Sequence, residues 1–227
     1  MLDVFLIVAP VFIVIGIGAT IRATGLAGEN WIEVLNRFGL LIGFPSVIFL
    51  NLVAIDPSVL SNRADVYLFN LLLLPGIMLV TSLVVRILRI NRTIGNTVMV
   101  GSFYGNVAYL GYPVVTSTFQ GVETEVTIII AIYTVVLFTL GVVILDISSG
   151  ERPSVMGVLL RILRNPFIIA IVLGFAVMLS PVKVPAVLSR ALTIIKDSAS
   201  AVVLVSLGMF LVRRIPFHRV WRPVAAI

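Results

Sequence analysis

Seven runs without a charged side chain divide this sequence: Val4–Ile21, Phe38–Ile55, Val66–Val85, Thr93–Val122, Val126–Leu145, Asn165–Val182 and Ser198–Val212. Six of them reach the length of about 18 apolar residues at which a helix crosses a bilayer. The seventh has fifteen residues and is expected to extend back past Lys196 and Asp197. An eighth run opens near Pro223. The pattern predicts an all-α integral membrane protein.

The fourth run stands apart. Its thirty residues would make an unbroken helix about 45 Å long, against a hydrocarbon core of about 30 Å. Its middle reads Gly105-Asn106-Val107-Ala108-Tyr109-Leu110-Gly111-Tyr112-Pro113. Two glycines, an asparagine and a proline therefore sit where a spanning helix should be most apolar. Irregular backbone at membrane depth survives only where it is buried in protein or lines a cavity. Interrupted helices of this kind point to a transporter's binding site.

Composition narrows the class. Hydrophobic residues make up 60% of the chain and charged residues 11%, well below the roughly 25% of soluble domains. The net charge of +6 does not signal nucleic acid, because the basic residues sit in short loops between apolar runs. There is no cysteine and one histidine, His218, so neither disulfides, thiolate chemistry nor a histidine-rich metal site is expected. No nucleotide-binding loop, metal-ligand cluster or nucleophilic triad is written in the sequence. Neither an enzyme nor a cofactor is expected. The N-terminal Met1-Leu2-Asp3 lacks a basic n-region, so Val4–Ile21 reads as a retained span.

Loop charges orient the spans. With the N-terminus outside, the inside loops hold Arg22 and Arg37; Arg86, Arg89 and Arg92; Arg152, Arg161 and Arg164; and Arg213, Arg214, Arg219 and Arg222. These are twelve of sixteen basic residues, and Arg63, Lys183, Arg190 and Lys196 are left outside. A faint repeat accompanies this bias. Pro10 and Gly18 are matched by Pro166 and Gly174, and Val34-Leu35-Asn36-Arg37 by Val187-Leu188-Ser189-Arg190. The copies stand five spans apart, an odd number, so the second runs through the membrane in the opposite sense. Residues 1–150 form a first five-span repeat and 151–227 an incomplete, inverted second one. The counterpart of the third span starts near His218 and that of the fourth lies beyond residue 227. The chain is therefore expected to be truncated, with about seven complete spans of ten.

Within the fourth run, the half-helix after the break opens with free N–H groups at its positive dipole end, which suits a carboxylate. Asn106 can donate and accept, and Pro113 is tolerated in the first turn of that half-helix. Gly105, Asn106, Val107, Ala108, Tyr109 and Pro113 are thus the candidate substrate-binding residues. A second reading stays open: a proline kink, with Gly101 to Gly105 as a small-residue packing face. Tyr109 and Tyr112 suit either substrate contact or packing. Pro45 frees a carbonyl in span two, and Asn51 lies nearly on the opposite helical face. Asn51 serves a cavity or an interhelical hydrogen bond. Lys196 and Asp197 are the charged pair expected within a span. They carry protons, balance substrate charge, or sit at the outer interface. Asp146, Glu123 and Glu125 read as interfacial or solvated, and Arg213 and Arg214 as a topology anchor.

Around the break the sequence resembles the auxin efflux carrier family. The resemblance rests on Gly101-Ser102-Phe103, Gly105-Asn106, Tyr109-Leu110-Gly111 and Pro113. It is extended by Pro45, Asn165-Pro166 and Leu204-Val205-Ser206-Leu207-Gly208. It implies ten spans in two inverted five-span repeats, a scaffold and a transport domain, and broken helices four and nine crossing at the substrate site. It also implies efflux or exchange of small organic anions such as auxin, malonate or malate.

The reading is an inverted-repeat secondary transporter of small organic anions, working by alternating access around a discontinuous fourth helix in the cell (inner) membrane. Its partners are the anion, the lipid bilayer, and a proton or sodium ion for coupling, with a homodimer as the assembly considered. The alternative is a membrane-embedded sensor or structural subunit of the same fold that does not transport.

Overall fold

The computed structural model describes residues 2–57, 64–103, 105–148 and 155–212. His218, Arg213, Arg214, the run opening near Pro223 and the boundary between residues 150 and 151 lie outside these. Every regular element among the described residues is helical. In chain order they are α1 (Leu2–Ala23), α2 (Glu29–Phe38), α3 (Phe44–Val53), α4 (Ala64–Ile87), α5 (Arg92–Phe103), α6 (Tyr112–Thr118), α7 (Glu123–Ser148), α8 (Val155–Leu163), α9 (Pro166–Met178) and α10 (Ala186–Leu211). Wider π-helical turns at Gly39–Gly43 and Val107–Gly111 join α2 to α3 and lead into α6.

Among the described residues, four segments are long and apolar enough to cross a membrane: Glu29–Val53, Ala64–Ile87, Glu123–Gly141 and Ala186–Leu211. Val8–Ala23 and Pro166–Met178 are shorter apolar helices. Several helices outrun their charge-free stretches. Span two begins at Glu29 because α2 carries its polar residues on one exposed face, where Glu33 and Arg37 pair at 3.2 Å. Span seven likewise begins at Ala186 and takes in Lys196 and Asp197. Span six stops at Met178, shorter than its apolar run. It starts sharply at Asn165, whose side chain accepts a hydrogen bond from the Phe167 N–H at 2.9 Å, with Pro166 in the first turn. The loop before it contains α8, an amphipathic helix with Met156, Leu159, Leu160 and Arg161 exposed.

The helices pack in two groups. In the first, α10 lies against α1, α2 and α3, and α9 lies against α3. In the second, α4, α5 and α7 lie against one another. Helix α6 sits between α1 and α7, while α3 and α9 also reach α7. The main core fills that junction, with Phe44, Leu52, Ile168, Val203 and Ala199 from the first group and Ile128 and Ala131 from α7. Phe44 stacks on Phe167 at 6.3 Å and meets the edge of Tyr112 at 6.4 Å. Helix α4 is peripheral: Tyr67 and Leu74 are buried, while Leu68, Phe69, Leu72, Leu79 and Val80 are exposed. An apolar surface of that kind suits lipid contact.

Glycines set the closest approach. A Cβ at Gly18 would lie 2.1 Å from the backbone oxygen of Val205, and one at Gly208 would lie 1.9 Å from that of Ile15. Only hydrogen fits at either position, so α1 and α10 touch backbone to backbone.

Candidate functional site

The uncharged run Thr93–Val122 is interrupted. Helix α5 ends at Phe103, Gly105 and Asn106 are not helical, and the backbone re-enters a helix at Val107. Asn106 has φ −82° and ψ 57°, which ends any α-helical path through it. Its carbonyl accepts from the N–H groups of Leu110 at 3.3 Å and Gly111 at 3.0 Å, and so builds the wide turn that starts the second segment. The N–H groups of Val107, Ala108 and Tyr109 open that segment and have no acceptor upstream within it. Tyr112 and Pro113 follow, both buried, with the proline in the first turn of α6.

Tyr133 on α7 closes part of the break. Its hydroxyl donates to the Phe103 carbonyl and accepts from the Gly105 N–H. One side chain thus satisfies the carbonyl that ends α5 and the amide of Gly105 in the break. The Asn106 side chain is exposed beside this closed backbone and makes no capping hydrogen bond. Gly105 and Asn106 are exposed, whereas Val107 and Ala108 are half-buried. Six of the proposed site residues therefore occupy one stretch of backbone.

Asn51 lies elsewhere. Its carboxamide is buried and donates to the Tyr112 hydroxyl at 3.1 Å and to the Thr127 hydroxyl at 2.8 Å. Its oxygen accepts from the Lys196 ammonium. Thr127 passes its own proton to the Glu123 carbonyl at 2.6 Å. Four elements meet in this cluster: α3, α6, α7 and α10. Asn51 and Lys196, 145 residues apart, are brought together. Asp197 is exposed on the neighbouring helical position. Pro45 is not in the cluster. It lines an apolar groove of about 370 Å³ with Leu41, Ser46, Pro166, Leu173 and Leu188.

Thr127 and Tyr133 were not among the sequence candidates. Both fall inside an apolar run, where Thr commonly bonds its own helix and Tyr commonly packs. Their six-residue spacing was the available signal. It puts about 9 Å of helix rise between the cluster and the break along α7. No group of acidic residues and histidine suited to a metal ion occurs among the described residues.

Residues 3–217 match the sequence profile of a family described as membrane transport protein. An uncharacterized transporter from Methanothermobacter thermautotrophicus is 29% identical over 160 residues, which cover 66% of this chain and 50% of that relative. The chain spans about half the length of the relative it matches.

Proposed function

We propose, for a chain that belongs to the membrane transport protein family (the auxin efflux carriers), the role of a secondary transporter of small organic anions. It is a multi-pass membrane protein of a transporter family. Substrate class, mechanism and orientation are the proposal. One observation carries it: an apolar span opens at Gly105-Asn106, and the opening leaves an exposed carboxamide beside the start of a helical segment. Amides at a helix start attract a carboxylate. Asn106 adds a donor that a lipid-facing kink has no use for. Tyr133 holds the backbone of the break, so an anion there would meet a preformed turn.

Alternating access needs two bodies and a surface between them. The α1–α3, α9 and α10 group and the α4, α5 and α7 group suit those roles, with the break at their junction. An inverted repeat fits the packing as well. Gly18 on α1 abuts Val205 on α10, and Gly174 on α9 abuts Leu52 on α3. Shifting Gly18 by 156 residues reaches Gly174, and shifting Leu52 by 153 reaches Val205, the offsets of the sequence repeat. Each contact is therefore the counterpart of the other. Orientation follows the loop arginines, with the N-terminus outside and the protein in the cell (inner) membrane.

The test is counterflow of labelled malonate by the full-length protein in proteoliposomes. The wild type exchanges the label, and Asn106→Ala reduces exchange at least tenfold. Unchanged exchange in the variant contradicts the site. Saturable malonate binding without counterflow contradicts transport and favours a sensor.

A further inference from the structure

The Asn51 cluster is short of acceptors. Both amide protons of Asn51 are used, on Tyr112 and Thr127, and the Thr127 proton goes to the Glu123 carbonyl. Lys196 has three N–H donors, and one is met by Asn51. The Tyr112 hydroxyl accepts from Asn51, and its own proton meets no acceptor among the described residues. Three donors and a positive charge are left over, beside a tyrosine that is 7% exposed and an asparagine that is 6% exposed. No carboxylate lies within ion-pair distance of Lys196 among the described residues. Glu123 and Asp197, on two of the elements that build the cluster, are both exposed, and Glu125, two residues from Thr127 on α7, is half-buried with one carboxylate oxygen that bonds to nothing among the described residues.

Unmet donors and a lone charge in apolar surroundings are costly. A carboxylate removes both deficits, since it brings two oxygens with about four acceptor positions and a negative charge. The side chain at 196 also suits a transient ligand. The chain holds fourteen arginines and only two lysines, Lys183 and Lys196. Lysine is a point charge on a flexible stem, able to swing from Asn51 to an arriving anion without matching a rigid fork.

We propose that Lys196 and Tyr112 form a second carboxylate-binding subsite, about 9 Å along the bundle from the break, with Asn51 holding Lys196 until an anion displaces it. The subsite rests on the reading that the protein handles small organic anions. With about 9 Å of α7 rise between Thr127 and Tyr133, it is a separate station on the path.

The two-lysine composition makes the test direct. Incorporation of lysine labelled with ¹³C at Cε marks Lys183 and Lys196 and leaves their N–H donors intact, and Lys183→Arg assigns the two NMR signals. Malonate is titrated against chloride at equal ionic strength. The subsite predicts a saturable shift of the Lys196 signal with malonate alone, a still Lys183 signal, and about tenfold weaker apparent affinity in Tyr112→Phe. A Lys196 signal that responds equally to chloride overturns it, as does one indifferent to Tyr112→Phe. If the Lys196 signal is too broad to follow, counterflow kinetics decide: Tyr112→Phe raises the malonate KM about tenfold on this account, and an unchanged KM overturns it. Counterflow without any Lys196 response sinks the subsite and leaves the transport reading standing. A saturable Lys196 response without counterflow sinks transport and leaves the subsite.

Discussion

The junction of α1 with α10 and the junction of α3 with α6 and α7 solve the same packing problem in opposite ways. The first is dry and backbone-close. Gly18 and Gly208 leave no room for a methyl group, and dispersion over that tight contact holds it. The second is apolar too, with Phe44, Leu52, Ile128 and Ala131 in its core, but it adds directional bonds from one buried carboxamide, Asn51, to Tyr112 and Thr127. A dry, interlocked surface resists sliding at every point. The contrast separates a contact set by glycine and backbone from one that carries a polar cluster within its apolar packing.

The largest effect is expected at the dry junction. Gly208→Val places a branched side chain where even Cβ would lie 1.9 Å from the Ile15 oxygen. The loss should exceed about 3 kcal/mol, the upper end for ordinary overpacking. Thermal unfolding in detergent, followed by tryptophan fluorescence, should show a fall in Tm of many degrees or no folded protein. An unchanged Tm would mean the two helices are not in backbone contact.

At the polar junction the expected effect is smaller and of another kind. Asn51→Leu fills the space but takes their Asn51 partner from the Tyr112 hydroxyl and the Lys196 ammonium, while Thr127 keeps its bond to the Glu123 carbonyl. A cost of about 1–3 kcal/mol follows from the lost partners. Malonate counterflow should change its rate in this variant, while Gly208→Val should only reduce the amount of folded protein. Equal losses of rate per folded molecule in both would erase the comparison.

The smallest effect belongs to the break itself. Tyr133→Phe removes the hydroxyl that serves Phe103 and Gly105, costing about 1–2 kcal/mol locally. Hydrogen exchange at the Gly105 amide should accelerate, with amides in α10 unaffected. Unaltered exchange at Gly105 would show that another group closes the break.

Much of this was legible in the amino-acid order, and the reasons differ by element. The interruption could be read because an overlong charge-free run carried Gly105, Asn106 and Pro113 in its middle, and each of these disfavours a continuous helix. The outer turns of spans two and seven could not be read from charge-free length. Glu29, Glu33, Lys196 and Asp197 are helical, and charge alone does not end a helix. The wide turn at Gly39–Gly43 had no signature beyond two glycines and the nearby Pro45. The polar cluster was legible only in parts. Asn51, Tyr112 and Lys196 stood out as polar groups in apolar runs, yet their meeting depends on contacts 61 to 145 residues apart. Thr127 was invisible because a threonine in a membrane helix ordinarily bonds its own backbone, as it also does here to Glu123.

The central claim is that the break at Gly105-Asn106 faces a water-filled anion path. The chain contains no cysteine, so single cysteines report cleanly. Asn106→Cys and Leu79→Cys, the latter on the apolar surface of α4, would be treated with a small water-soluble thiol reagent in membranes, with and without malonate. The account predicts rapid modification at position 106, slowed several-fold by malonate, and little at position 79. A cysteine at 106 that is inert, or that reacts at the same rate with malonate present, would contradict it.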